Sequence, residues 1–154
     1  MATRIMLGWR EWVALPALGI AAVRAKVDSG ARSSALHVDA HWRFTQDGAP
    51  WVGFRLSLDG DACPAIEAAA PVLDEREVVD SGGHRTRRIF VRTRLQLAGV
   101  ERDIDMNLSD RRGMGFPMLL GRTAMARVFA VDPARSFLHG RAAPSDSLVV
   151  TVCR

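Results

Sequence analysis

The sequence predicts an all-β protein that folds as a small barrel with one brief helix. Many short runs alternate apolar with polar residues, and glycine, proline or aspartate interrupts them at close spacing. Turn pairs such as Asp47-Gly48 and Ala98-Gly99 are typical of hairpins. A chain of 154 residues can bury one sizeable core, so we expect a single domain over 1–154, with 139–154 as a loose tail or an edge strand.

The first third of the chain is predicted to contain three strands. Residues 5–15 have a strand-like rhythm that ends at Pro16, and 20–27 form an apolar strand that reaches Asp28. Residues 34–44 alternate in the manner of a strand, which predicts one half-exposed strand. The residues predicted on one face of it are Leu36, Val38, Ala40 and Trp42.

The middle of the chain is predicted to form two hairpins. Residues 51–58 are in strand phase after the Asp47-Gly48 turn. The alanines of 66–72 would suit a helix, but the prolines around them leave only a short segment, which we interpret as a strand. Residues 75–80 and 85–97 flank a glycine-rich tip and predict a long hairpin.

The last third is predicted to add short strands and the helix. Residues 100–108 alternate in strand phase, 110–113 form a polar loop, and 119–120 enter the core. The remaining predicted elements are a helical turn at 122–127, short strands at 128–131 and 137–138 around the Asp132-Pro133 turn, and an available edge strand at 148–152.

The charge of the chain comes mostly from arginine. Its net charge is +4 and its pI is near 10.3, with Lys26 as the single lysine. Arginine forks bind carboxylates and phosphates, although arginine-rich codon usage explains the overall bias equally well. No apolar run approaches the roughly 20 residues that span a bilayer. Because Cys63 and Cys153 lack a disulfide-framework spacing, we expect a cytoplasmic protein with reduced thiols and no membrane partner.

The stretch 25–32 carries the strongest chemical signal. An apolar strand runs into Asp28 and then turns at once through Ser29 and Gly30. Glycine after Asp-Ser permits a tight turn, so the carboxylate can stand at the strand end and face a cavity. A carboxylate in that position is suited to acid and base catalysis when a second carboxylate shares its proton.

Two motifs resemble a known class of peptidases. Val27-Asp28-Ser29-Gly30-Ala31 is similar to the hydrophobic-Asp-Thr/Ser-Gly-Ala signature of retropepsin-like aspartic peptidases, and Met118-Leu119-Leu120-Gly121-Arg122 resembles their second element. Three longer stretches, 26–37, 81–88 and 107–122, resemble a bacterial family labelled ATP-dependent zinc protease. Members of that family look like retropepsins and are associated with ligases that add glutamates to a ribosomal protein.

This resemblance implies a closed β-barrel, a flap hairpin and an active site shared between two subunits. The implied catalytic residues are Asp28, Ser29 and Gly30, with Ser29 holding two identical loops in register across a homodimer. The residues implied in substrate binding are Ala31, Arg32, Ser81, Gly82, Gly83, His84, Arg85 and Arg122, of which 81–84 form the flap tip. Arg32 is the better candidate for substrate contact, whereas Arg122 is expected mainly to brace the fold.

Three other features bear on this interpretation. Asp80-Ser81-Gly82 repeats the Asp-Ser-Gly pattern, but its charged lead-in and flanking glycines suit a hairpin tip better than a second catalytic loop. His37 and His41 have the spacing of a zinc-protease helix, but Val38 stands where the general base should be Glu, and no third ligand is evident. The sequence has no Gly-Lys-Ser/Thr phosphate loop, so we predict neither ATP nor any other cofactor, and no metal.

The sequence therefore favours an aspartic endopeptidase that acts as a homodimer on acidic, glutamate-rich peptides. The arginines beside the two loops would attract such a substrate, and the resemblance implies the glutamate tails of a ribosomal protein. Two alternatives stay open: a non-catalytic module that binds an acidic partner, and the zinc-dependent protease that the family label suggests. Few aromatic residues interleave with the arginines, so nucleic acid is not expected as a partner.

Overall fold

The computed structural model describes residues 3–58 and 65–141, and these residues form an all-β fold. The strands are β1 (Ile5–Leu7), β2 (Arg10–Leu15), β3 (Ile20–Val27), β4 (Ser34–His37), β5 (Ala40–Gln46), β6 (Ala49–Leu56), β7 (Ile66–Pro71), β8 (Asp74–Val79), β9 (Arg85–Leu97), β10 (Val100–Ser109), β11 (Met118–Leu120) and β12 (Phe129–Val131). They are joined by a 3-10 turn (Pro16–Leu18) and a short helix, α1 (Arg122–Met125). The predicted all-β class with one brief helix is confirmed.

The largest set of strands pairs in a closed circuit. The order β10-β4-β11-β3-β2-β9 returns to its start because β9 also pairs with β10 in antiparallel fashion. β8 extends β9 on its other side and forms the long predicted hairpin. β11 lies between β3 and β4, and its Leu120 pairs with Val27. This insertion brings the two motif-bearing segments, the end of β3 and the end of β11, side by side.

Two smaller sheets accompany the circuit. β5, β6 and β7 form an antiparallel sheet, and the β5–β6 hairpin turns at Asp47-Gly48 as predicted. Asp47 has φ 52° and Gly48 has φ 76°, which are the left-handed conformations that a two-residue hairpin turn requires. β1 and β12 pair in parallel, with Ile5 opposite Phe129.

The core is formed by residues that alternate inward along the circuit. On β10 the buried aliphatic residues are Ile104, Met106 and Leu108. Asp103 and Asp105, which alternate with them, retain contact with solvent. Full burial of each such aliphatic side chain stabilises the fold by roughly 1.5–3 kcal/mol. Val27 is the last residue of β3 and is buried, whereas Asp28 directly after it is half-buried, so Asp28 lies at the edge of the core.

Three predicted elements differ from the structure. The predicted strand 5–15 is two strands, β1 and β2, which lie in different sheets and are separated by Gly8 and Trp9. The predicted strand 34–44 is two strands, β4 and β5, because the chain leaves one sheet and enters another at Val38 and Asp39. All four residues of β4 are buried and α1 packs against this strand, whereas most of β5 is exposed. Residues 137–138 form no strand; there the Phe137 N–H donates to the Arg10 carbonyl oxygen over 2.9 Å.

Several predictions about the ends and the cysteines fall outside the described residues. These are the thiols of Cys63 and Cys153, the edge strand at 148–152 and most of the predicted loose tail. Within 3–58 and 65–141, no helix has the length and apolar character needed to cross a membrane.

Candidate active site

Asp28 lies directly after β3, in a tight turn that leads away from the strand. The Gly30 N–H donates to Asp28 Oδ1 over 2.9 Å, and the Ala31 N–H donates to the Asp28 carbonyl oxygen over 3.3 Å. A Cβ atom at position 30 would lie 3.2 Å from that same Oδ1, so a larger residue would crowd the carboxylate. Asp28 is half-buried and Ser29 is exposed. The turn therefore presents one oriented carboxylate at the end of a core strand.

The segment after β11 holds this turn in place through backbone hydrogen bonds. The Asp28 N–H donates to the Leu120 carbonyl oxygen over 2.9 Å, and the Arg122 N–H donates to the Ala31 carbonyl oxygen over 2.7 Å. The Arg122 guanidinium adds a longer contact of 3.4 Å from Nη1 to the Gly30 carbonyl oxygen. All of these contacts of Arg122 are with the Asp28 turn itself, and the Arg122 side chain is otherwise exposed.

Gly121 explains why the second motif contains a glycine. A Cβ atom there would lie 2.5 Å from the carbonyl carbon and oxygen of Ser33, closer than real Cβ contacts allow. The close approach lets the Gly121 N–H donate to Ser34 Oγ over 3.1 Å. It also lets Thr123 donate twice to the Arg32 carbonyl oxygen, from N–H over 3.2 Å and from Oγ1 over 2.8 Å. The two distant motifs are thus one packed unit.

The predicted flap is the hairpin of β8 and β9, with its turn at 80–84. Asp80 Oδ1 accepts hydrogen bonds from the N–H groups of Gly82 and His84, each over 2.9 Å. The hydrogen bond from the His84 N–H is the main reason that the pKa of Asp80 is lowered. Gly83 has φ 81°, a left-handed conformation that favours glycine. Asp80-Ser81-Gly82 therefore forms the exposed hairpin turn, and its carboxylate stabilises that turn.

Two flap arginines have carboxylate partners within their own hairpin. Arg85 Nη1 lies 3.0 Å from Glu77 Oε1, and Arg87 Nε lies 2.9 Å from Glu75 Oε2. The hydrogen bond from Arg87, followed by that from Arg43, lowers the pKa of Glu75. These ion pairs partly neutralise the positive charge of the arginines beside the flap tip.

Arg32 is exposed and lines an open cavity of about 350 Å³ that does not include Asp28 among its lining residues. The other residues of this cavity are Ser33, Arg76, Arg92, Asp103, Ile104, Asp105 and Thr123. Arg92 Nε contacts Asp105 Oδ1 there over 2.9 Å. The cavity therefore contains both signs of charge.

Arg111 is a candidate site residue that the sequence analysis did not identify. It is half-buried in the loop between β10 and β11, where its Nε donates to the Phe116 carbonyl oxygen over 3.3 Å. Burial lowers the pKa of Arg111; the charge of Arg88 acts in the same direction, and the charge of Asp28 opposes it. The charges of Arg88 and Asp28 therefore both act on Arg111. The sequence gives no signal that distinguishes Arg111 from the adjacent Arg112. In the structure, the Arg112 guanidinium pairs with Asp110 over 2.7 Å.

His37 positions the Arg111 loop. Its buried ring accepts a hydrogen bond at Nδ1 from the Arg111 N–H over 2.9 Å, so Nε2 carries the proton and donates to Asp39 Oδ1 over 2.7 Å. That bond is the main cause of the lowered pKa of Asp39. His41 is an exposed residue of β5, in a different sheet, so the two histidines do not share a strand face. In 3–58 and 65–141, no three His, Cys, Asp or Glu side chains cluster as metal ligands.

Comparison with known families agrees with the geometry of the Asp28 turn. Residues 6–142 match the model of the RimB-like family, described as the retropepsin-like aspartic endopeptidase RimB. The chain belongs to this family. The family description names an aspartic endopeptidase and not a zinc protease.

Longer proteins contain a segment similar to this chain. A probable alpha-L-glutamate ligase of Shewanella pealeana is 37% identical over 138 residues, which cover 89% of this chain and 30% of the ligase. A protein of the same name from Desulfotalea psychrophila is 41% identical over 130 residues, covering 84% of this chain and 28% of the ligase. The chain thus spans less than a third of the length of these relatives.

A solved structure shares the fold. The crystal structure of a Legionella pneumophila protein of unknown function matches with a TM-score of 0.76 and 25% identity, over 89% of this chain and 99% of the other.

Proposed function

We propose that the protein is an aspartic endopeptidase whose active site is completed by a second copy of the chain. The observation that carries this proposal is the Asp28 turn, in which the Gly30 N–H orients one carboxylate oxygen. The segment 120–123 holds the turn through several hydrogen bonds. Such support keeps a reacting group in a fixed geometry, which a catalytic residue requires.

The second carboxylate in this proposal is Asp28 of another copy. Among the described residues, the other Asp-Ser-Gly sequence begins at Asp80, and its carboxylate is engaged in the flap turn. A two-fold homodimer would place both Asp28 turns at its axis, because a two-fold axis brings identical residues together. Exposed Ser29 is then free to contact its counterpart across the axis.

Two facing carboxylates supply the acid and the base of peptide hydrolysis. The like charges share one proton, so one carboxylate is ionised and the other is protonated. The ionised carboxylate takes a proton from a water molecule, whose oxygen attacks the scissile carbonyl carbon while the protonated carboxylate donates to the carbonyl oxygen. The C–N bond of the tetrahedral intermediate then breaks, and the leaving nitrogen takes a proton from the pair.

The proposed substrate is a glutamate-rich peptide, with the glutamate tail of a ribosomal protein as the specific candidate. Relatives named probable alpha-L-glutamate ligase contain a segment similar to most of this chain. An enzyme that joins glutamates and a peptidase that cleaves them both have to recognise a chain of glutamates. The net charge of +4 favours the same choice, since a cationic protein attracts an acidic peptide.

The test compares two Asp-to-Asn variants at the two Asp-Ser-Gly sequences. Asp28→Asn keeps the shape of the side chain but removes the acid and base functions, so cleavage of an oligoglutamate peptide should disappear while the melting temperature is retained. Asp80→Asn is the matched control and should still cleave. Activity should also persist in a strong metal chelator. If chelation abolished cleavage and zinc restored it, the zinc-protease alternative would replace this proposal.

A mixing experiment tests the shared site. Excess Asp28→Asn protein should reduce the activity of the wild-type protein after subunits exchange, because mixed dimers contain one carboxylate instead of two. Sedimentation of the active fraction should give a dimer. A monomer with full peptidase activity would refute the proposal.

A further inference from the structure

We propose that Arg88 and Arg111 together bind a carboxylate side chain of the substrate beside the scissile bond. This inference rests on the proposed peptidase function and identifies the residues that give it specificity. It replaces a general attraction between an arginine-rich surface and an acidic peptide with one defined pair of guanidinium groups.

The pair differs from neighbouring arginines in its charge balance. On β9, Arg87 pairs with Glu75 over 2.9 Å, and Arg92 pairs with Asp105 over 2.9 Å. Within the part of the chain that the structure describes, no carboxylate oxygen lies within 4.0 Å of the Arg88 or Arg111 guanidinium nitrogens. Neither guanidinium therefore has a close ion-pair partner, and only the more distant charges of Asp80 and Asp28 act on Arg88 and Arg111, respectively.

Both arginines are anchored to the same short strand. Arg88 Nη1 donates to Asn107 Oδ1 over 3.1 Å, and buried Asn107 donates from Nδ2 to the Ser34 carbonyl oxygen over 3.0 Å. The Arg111 N–H donates to Nδ1 of His37 over 2.9 Å. Ser34 and His37 are the first and last residues of β4, the strand that follows the Asp28 turn. These contacts hold the Arg88 side chain and the Arg111 backbone beside the strand that follows the Asp28 turn.

The environment of the pair favours an anion. Burial lowers the pKa of Arg88 against the opposing charge of Asp80, and burial together with the charge of Arg88 lowers the pKa of Arg111 against the opposing charge of Asp28. Two half-buried cations that repel each other gain from an anion between them, and a carboxylate can accept hydrogen bonds from two guanidinium forks.

Arg111 Nε donates to the Phe116 carbonyl oxygen over 3.3 Å, and the Phe116 ring packs edge-on against Trp9. The Trp9 carbonyl oxygen accepts the Val27 N–H over 2.8 Å, so Arg111 lies beside the strand end that leads into Asp28.

The decisive experiment uses two peptides that differ only in charge. One carries glutamate and the other glutamine on each side of the cleaved bond, and both carry a fluorophore and a quencher. Arg111→Gln and Arg88→Gln should each lower kcat/KM for the glutamate peptide by about 10- to 150-fold, the usual effect of losing a hydrogen bond to a charged group. The glutamine peptide should be cleaved at nearly the wild-type rate. Arg87→Gln, which removes the same charge from β9, should change either rate by less than about threefold because its partner is Glu75.

A binding experiment separates this inference from the proposed chemistry. In the Asp28→Asn background, the Kd of a labelled glutamate peptide should rise on Arg111→Gln and stay unchanged on Arg87→Gln. If the wild-type protein cleaves nothing but this pattern of Kd values holds, the peptidase proposal fails and the carboxylate site stands.

Other outcomes would overturn the inference. Equal losses on the glutamate and glutamine peptides would mean that Arg111 acts on Asp28 or on the fold and not on the substrate. A weaker dimer in Arg111→Gln by sedimentation, with both peptides affected alike, would mean that Arg111 serves subunit contact. If Arg111→Gln does not fold, as judged by its melting curve, Arg88→Gln decides the question by the same comparison.

Discussion

Gly121→Ala should both destabilise the fold and impair the Asp28 site, because position 121 has no room for a side chain. The added Cβ would lie 2.5 Å from the carbonyl carbon and oxygen of Ser33 and 3.0 Å from the Arg32 carbonyl oxygen. These are backbone atoms, so neither can move aside by a change of rotamer. The chain after β11 has to shift away from the Asp28 turn.

The magnitude follows from the contacts that this shift weakens. They are the hydrogen bonds from the N–H groups of Gly121, Arg122 and Thr123 to Ser34 Oγ and to the carbonyl oxygens of Ala31 and Arg32. Each contributes roughly 0.5–1.5 kcal/mol net, and overpacking alone costs about 1–3 kcal/mol. We expect the free energy of unfolding to fall by about 2–4 kcal/mol, which lowers the midpoint of urea unfolding by about 1–2 M.

Urea unfolding and peptide cleavage should be measured together, with Gly99→Ala as the control. Gly99 has φ 77°, and a Cβ added there would have no neighbouring atom within 4 Å, so alanine meets only backbone strain of about 1–2 kcal/mol. Gly99→Ala should keep its activity, whereas Gly121→Ala should lose most of it because the Asp28 N–H bonds to the Leu120 carbonyl oxygen. A Gly121→Ala protein with wild-type stability and activity would refute the close-packed arrangement.

Two further predictions concern charge. The hydrogen bond from Arg112 lowers the pKa of Asp110 from 3.8 to about 2, so charged Asp110 stabilises the fold above about pH 4 and this contribution disappears as the pH falls through about 2. The melting temperatures of wild type and Asp110→Asn should therefore converge on acidification, and a constant difference would contradict this. Arg32→Ala should raise KM up to about fivefold for glutamate peptides and less for neutral ones, an effect that added salt should reduce. Equal KM changes for both peptides at every salt concentration would exclude Arg32 from substrate recognition.

The sequence correctly predicted the turns and strand ends whose conformation depends on a few adjacent residues. Asp47-Gly48 adopts the two left-handed conformations expected of a hairpin turn, and 80–84 forms the expected hairpin tip. The strand that ends at Asp28 was also predictable, because an apolar run followed by Ser29 and Gly30 can only turn. These features depend on neighbours in sequence.

The alternation of residues 34–44 was wrongly interpreted as a single strand. Alternation continues from Ser34 through Phe44, yet the chain changes sheets at Val38 and Asp39. All four residues of β4 are buried and α1 packs against this strand, so β4 has no exposed face for alternation to report. One continuous alternation of apolar and polar residues therefore covers two strands, of which β4 is buried and β5 is mostly exposed.

The sequence by itself determined the all-β class, the order of the hairpins and the carboxylate at Asp28, since each depends on residues a few positions apart. Tertiary structure alone decided which arginines have a close carboxylate partner. Arg87 and Arg88 are adjacent in sequence, but Glu75 pairs with one and Asn107 holds the other. The loop that carries Arg111 is held by His37, 74 positions away in the chain, which accepts the Arg111 N–H. Charge compensation and burial depend on contacts between distant strands, which no local pattern encodes.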